Sequence, residues 1–142
     1  MKTIPLQVLR IDESGFHLMV ALHLNGRKAN ALIDTGASRT ILDKNRAVHY
    51  LDRPEMHRYE KFFSGLGTGP IETYRTVIRE LEIGGVALVG QEVVVIDLKA
   101  INQSYAMFDL PKIDLVLGCD LLLKMNAVID CPSRTLIVNI SK

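Results

Sequence analysis

The stretch Phe16-His17-Leu18-Met19-Val20-Ala21-Leu22-His23-Leu24-Asn25-Gly26 decides the fold class. Phe16, Leu18, Val20, Leu22 and Leu24 stand at every second position, the period of a strand with one face buried. Asn25-Gly26 then turns the chain, because both residues tolerate the positive φ of a type I′ turn, so residues 16–24 are expected to fold back on 27–33. The same grammar returns twice. Ile71 to Ile83 and Val86 to Leu98 read as extended segments around Gly84-Gly85, and the second is rich in β-branched residues. Ala127 to Asp130 and Thr135 to Ile140 flank Cys131-Pro132-Ser133-Arg134, where Pro132 and Ser133 supply turn chemistry for a third hairpin. Helix is expected to be scarce: a short one within Ile41 to Leu51, and a turn or two over Asp120 to Met125 with Asp120 favourable near the amino end. Residues 99–112 read as the longest irregular connection. Regular short strands with Gly and Pro turns indicate an all-β barrel or sandwich with one or two short helices.

Composition bounds the rest. The chain has 142 residues, 17 Lys plus Arg against 16 Asp plus Glu, 48% apolar residues and 23% charged. That length suits one domain spanning 1–142, and no repeat, linker or shift of composition marks a boundary inside it. A formal charge of +1 without a basic block removes the electrostatic footprint of nucleic-acid or anionic-membrane binding. No run of about 18 apolar residues is present to cross a bilayer. The first ten residues, broken by Pro5, Gln7 and Arg10, lack the apolar core of a signal peptide, so the expected location is the cytoplasm. Cys119 and Cys131 are too few for a disulfide scaffold and read as two reduced, partly buried thiols.

The chemistry is concentrated in Ala31-Leu32-Ile33-Asp34-Thr35-Gly36-Ala37-Ser38, an apolar strand that runs directly into a carboxylate followed by small residues. An acid at the end of a buried strand loses solvation and needs hydrogen bonds or a shared proton to stay ionised. Thr35 and Gly36 suit that need: glycine lets backbone N–H groups approach the carboxylate, and a threonine hydroxyl can lock a tight turn. Taken alone, Asp-Thr-Gly is equally an ordinary β-turn. Two other segments bear on the choice. Ser64-Gly65-Leu66-Gly67-Thr68-Gly69-Pro70 has the glycine density of a mobile cover, or of a plain surface loop. Ile113-Asp114-Leu115-Val116-Leu117-Gly118-Cys119-Asp120-Leu121-Leu122 is an apolar strand ending in a glycine, which allows another backbone to pass close by, and then a short helix.

In this order and spacing the three segments, with Val128-Ile129-Asp130 and a closing strand, resemble the retroviral-type, retropepsin-like aspartic proteases, including their cellular relatives in bacteria. The resemblance runs from about residue 6 to 140. It implies a closed retropepsin-like (acid protease) barrel in which Asp34 is the catalytic carboxylate, Thr35 and Gly36 complete its turn, and Leu117 and Gly118 support the loop behind it. It also implies a polypeptide substrate, lying extended against Ala37 and Ser38 beneath a flap formed by Gly65, Leu66, Gly67, Thr68 and Gly69. Neither a cofactor nor a metal is implied. Retroviral members commonly carry an arginine after the glycine of the last motif, paired with an acid near the catalytic turn. Here Cys119 and Ser38 stand at those places, so that pair is expected to be missing as a unit.

Aspartic proteolysis needs two carboxylates about 3 Å apart sharing one proton, because like charges that close cannot both ionise. Only one Asp-Thr-Gly is present. Two chains are therefore expected to meet about a two-fold axis as a homodimer, Asp34 facing its own copy. The rival from another class is a retropepsin-like barrel kept as a peptide-binding or dimerisation module with negligible turnover. A metal reading through His17, His23, His49 and His57 fails on spacing, a Cys-His hydrolase lacks its flanking signature, and phosphate binding at 65–69 would need a Lys and a following helix.

Overall fold

A computed structural model describes residues 1–51, 56–58 and 72–139. Along the chain run β1 (Lys2–Pro5), β2 (Gln7–Arg10), β3 (Phe16–Leu24), β4 (Arg27–Ile33), β5 (Ile41–Asp43), a 3-10 turn (Lys44–Arg46), α1 (Ala47–Tyr50), β6 (His57–Arg58), β7 (Tyr74–Ile83), β8 (Val86–Ile96), α2 (Lys99–Met107), β9 (Leu115–Leu117), α3 (Cys119–Lys124), β10 (Val128–Asp130) and β11 (Thr135–Val138). The turn between β3 and β4 has Asn25 at φ 50° and Gly26 at φ 83°, the left-handed pair that a type I′ hairpin requires. All three expected hairpins form, pairing β3 with β4, β7 with β8 and β10 with β11.

Following the pairings, β3 joins β4, β4 joins β9, β9 joins β5, β5 joins β8, β8 joins β7, and β7 returns to β3 through His23 and Leu24. The ring is closed, a six-stranded barrel without a free edge between these members. β2 extends it beside β3 and β6 beside β7, while β1, β11 and β10 form a separate three-stranded sheet. Strand alternation sorts the core into two clusters. Val20, Leu22, Leu24, Ala31, Val93, Val95, Leu115 and Leu117 point into the barrel, and Met19, Val94, Ile96 and Val116 point outward into a second cluster with Leu98, Tyr105 and Ile113.

That second cluster corrects the reading of residues 99–112, which hold the nine-residue helix α2 rather than an irregular connection. Asn102 explains how a polar segment stays helical: its Nδ2 donates to the Ile113 carbonyl at 3.0 Å and its Oδ1 accepts the Ile113 N–H at 2.7 Å. The side chain thus serves Ile113 as a neighbouring strand would. Tyr105 buries in the outer cluster and bonds the His17 ring, so α2 covers β3 on the face that alternation alone assigned to solvent. Met19 is accordingly buried while Phe16 is 57% exposed. The short helix expected within 41–51 forms as α1, and the segment opens with a strand the sequence reading did not resolve, β5, between antiparallel β9 and parallel β8. Of the cysteines, both free, Cys119 is half-buried and Cys131 exposed.

Two buried carboxylates fix the barrel where it matters for the site. Asp114 bonds the Asn30 N–H through Oδ2 at 2.9 Å and Arg46 through Oδ1 at 2.9 Å, holding β4 against the approach to β9. Burial alone would lower the Arg46 pKa, but its hydrogen bonds to Asp114 and Tyr50 outweigh that and hold it above the ordinary value. Asp43, 1% exposed, accepts the Leu98 N–H at 3.0 Å and the Asn45 N–H at 3.2 Å, tying β5 to the start of α2. Asp43→Ala would leave the buried Leu98 N–H without its acceptor, and is expected to cost roughly 3 kcal/mol. A urea midpoint unchanged from the parent would refute this. At the same junction the exposed Asp97 carboxyl is held below the usual range by Asn45 Nδ2 and the Lys99 N–H. That small contribution is present at neutral pH and fades as pH falls through the lowered pKa.

Candidate active site

Asp34 leaves the end of β4 where the strand has just paired in parallel with β9, Ile33 opposite Leu117. Its N–H donates to the Leu117 carbonyl at 3.0 Å, extending that ladder by one bond beyond the strand. The carboxylate then turns with the chain: Oδ1 accepts the Gly36 N–H at 2.9 Å and the Asp34 carbonyl accepts the Ala37 N–H at 3.2 Å. A Cβ on Gly36 would stand 3.2 Å from the same Oδ1, so glycine leaves the acid room in this turn. Asp34 is half-buried, and Thr35, Gly36 and Ser38 are exposed. The acid is oriented from behind and open in front.

What lies behind is the β9 to α3 junction. Gly118 is buried with φ −93°, so it is not there for an unusual backbone angle. Space is the reason: an added Cβ would meet the Arg39 carbonyl oxygen at 2.6 Å and the Ala37 oxygen at 2.9 Å. The Cys119 N–H donates to the Ala37 carbonyl at 2.8 Å, and the Cys119 thiol donates to the Thr35 carbonyl at 3.0 Å. Thr35 therefore joins the site through its carbonyl, held from the opposite segment.

Sequence reasoning missed the charges at this junction. No arginine follows Gly118, yet the same two segments carry an ion pair of reversed polarity, Arg39 Nε to Asp120 Oδ2 at 3.6 Å, with Glu92 of β8 on the far side of the guanidinium at 3.3 Å. The signal was available in Arg39 and Asp120, each one position beyond the expected pair. Sequence reasoning also passed over Thr40, which is completely buried against this junction.

Asp34, Thr35, Gly36, Ala37, Leu117 and Gly118 thus come together in one bonded unit, with Ser38 on its exposed rim. Gly65, Leu66, Gly67, Thr68 and Gly69, expected as the flap, lie outside the described residues. Of the four histidines, His17 bonds Tyr105, His23 pairs with Glu82 at 3.0 Å and His49 packs edge-on against Tyr50. Among the described residues no three His, Cys, Asp or Glu side chains gather as metal ligands, and no helix is long and apolar enough to cross a membrane.

A sequence model described as aspartyl protease matches residues 20–121. No curated protein matches the chain. Among solved structures, a retropepsin-like aspartic protease from Rickettsia conorii is 20% identical with a TM-score of 0.61, over 97% of this chain and 93% of that one. The EIAV protease, solved with the inhibitor HBY-793, is 20% identical with a TM-score of 0.60, over 84% and 97%. The retroviral protease-like domain of Ddi1 from Leishmania major is 20% identical with a TM-score of 0.56, over 86% and 87%. At this identity the likeness speaks for the fold: the barrel is retropepsin-like.

Proposed function

The chain belongs to the aspartyl protease family, and we propose that it is an endopeptidase in which two copies each supply one Asp34 to a shared catalytic pair. The observation that carries this reading is the open front of the Asp34 turn. A carboxylate fixed by Gly36 and by the Leu117 ladder bond, flanked by exposed Thr35 and Gly36, is half of an arrangement that a second copy completes. No second Asp-Thr-Gly is available within the chain.

The chemistry follows from the pair. One carboxylate is ionised and takes a proton from the attacking water, while the other, protonated, donates to the peptide carbonyl oxygen as the tetrahedral centre forms. The proton taken from water then passes to the departing nitrogen, a hydroxyl of the tetrahedral centre returns its proton to the other carboxylate as the C–N bond breaks and the carbonyl re-forms, and the pair again holds one proton. An extended polypeptide is the substrate this cleft takes, its main chain bonded as an added strand beside Ala37 and Ser38 and its side chains filling alternate pockets.

Sedimentation across a dilution series, run beside cleavage of an unfolded protein at mildly acidic pH, tests this. Activity should fall with the dimer fraction, and a transition-state mimic of aspartic proteolysis should abolish it. Full activity in a lone subunit overturns the shared pair. A dimer that binds unfolded chains without cleaving them favours the binding-module reading instead.

A further inference from the structure

Resting on that reading, we propose that Thr40 is a positioning residue: its buried hydroxyl fixes the backbone from which Asp34 projects, and so sets the spacing of the two carboxylates. Thr40 Oγ1 accepts the Gly118 N–H at 3.1 Å and stands 2.7 Å from Asp120 Oδ1. A hydroxyl has one proton, and an N–H can only donate. The direction is therefore fixed, from Gly118 N–H to Thr40 oxygen and from Thr40 O–H to the Asp120 carboxylate. Asp120 is held as the acceptor by the Leu121 N–H at 2.8 Å and by Arg39, which is itself braced by Glu92.

The connection to Asp34 is one residue long. Leu117, whose carbonyl takes the Asp34 N–H, precedes Gly118, whose N–H is held by Thr40. The segment from Asp34 to Thr40 is thus tied at both ends to one dipeptide, with Cys119 holding its middle at Thr35 and Ala37. Thr40 is also anchored to the barrel wall, its carbonyl accepting the Val94 N–H at 3.0 Å. Being fully buried, it acts on substrate only through backbone. Its hydroxyl is a side-chain link between the barrel and the β9 to α3 junction that the nearly isosteric change to valine removes.

Among the described residues, the charged groups facing this hydroxyl are Asp120 from α3, Arg39 beside it and Glu92 from β8. Two carboxylates that share a proton titrate in two steps, and the separation of the limbs of a bell-shaped rate profile reports their coupling. Thr40→Val keeps the shape and deletes both hydrogen bonds. It is expected to lower kcat by roughly 10- to 100-fold with KM nearly unchanged, and to draw the two limbs together. Thr40→Ser should restore both. Asp120→Asn, which keeps an oxygen for the Thr40 proton but loses the charge that Arg39 orients, should draw the limbs part of the way. Parental limb separation in Thr40→Val, or in Asp120→Asn if Thr40→Val does not fold, overturns the proposal, and a kcat loss without limb movement assigns Thr40 a merely structural role. A parent enzyme without cleavage would instead overturn the reading on which this rests.

Discussion

An Asp34→Asn variant is expected to fold and pair like the parent chain and to lose cleavage of an unfolded protein by at least roughly 10³-fold. The amide keeps an oxygen for the Gly36 N–H, and the Asp34 N–H bond to Leu117 involves backbone alone, so the turn has no reason to move. On the proposed shared pair, what disappears is every ionisable group of that pair, because each copy would supply only this one. In a protein with two different lobes, such a change would remove half of the pair; in the proposed homodimer it would remove the base and the acid together. The check is an initial-rate assay on a sample whose sedimentation and unfolding midpoint match the parent. Parental cleavage by the variant would place the chemistry on other residues. Equal binding of unfolded chains by both proteins, with cleavage by neither, would support the module without turnover.

The parts of this molecule legible in its sequence are those whose cause is local. Asn25-Gly26 carries its own turn, and the alternation of Val20, Leu22 and Leu24 states which side faces inward. The Asp34 turn was legible in its local part, since the Gly36 N–H reaches the carboxylate of Asp34 two residues back, whereas the hold of Cys119 on the Thr35 carbonyl comes from a distant segment. β5 was not, because three residues make a strand only when Val94 and Val116, more than fifty residues away, already stand on either side. Nor was α2, whose Asn102 and Ser104 are weak helix formers and whose support comes from Ile113 and the outer faces of the barrel strands. One omission led to the other: without α2, the outward side chains of β3 had no cover, and Met19 read as a surface residue. The ion pair behind the Asp34 turn was not legible because the family pattern fixes both its positions and its signs. Geometry asks only that opposite charges face each other across the two segments, and Arg39 with Asp120 does so with the signs exchanged.

Gly118→Ala is expected to have a large effect, because among the described glycines it is the one whose added Cβ would meet backbone atoms closer than 3.0 Å. Its backbone, at φ −93° and ψ 179°, suits alanine, so the cost is purely one of space. The new Cβ would lie 2.6 Å from the Arg39 oxygen, 2.7 Å from the Arg39 carbonyl carbon and 2.9 Å from the Ala37 oxygen, all backbone atoms without a rotamer to change. Neither neighbour can withdraw freely. The Ala37 carbonyl receives the Cys119 N–H, and Arg39 leads into Thr40, which is bonded to Val94, Gly118 and Asp120. Relief therefore requires the two segments to part, which lengthens the Asp34 N–H bond to Leu117 as well. Overpacking of this kind costs about 3 kcal/mol or more where backbone must shift. A displacement near 1 Å at the carboxylate would add about a 100-fold loss of rate. Thermal unfolding and cleavage measured on one preparation separate the two consequences: activity should remain depressed well below the lowered midpoint, where the variant is fully folded. A variant with the parental midpoint and rate would mean that the junction opens without cost, and that the close passage of Arg39 over Gly118 does not hold the acid in place.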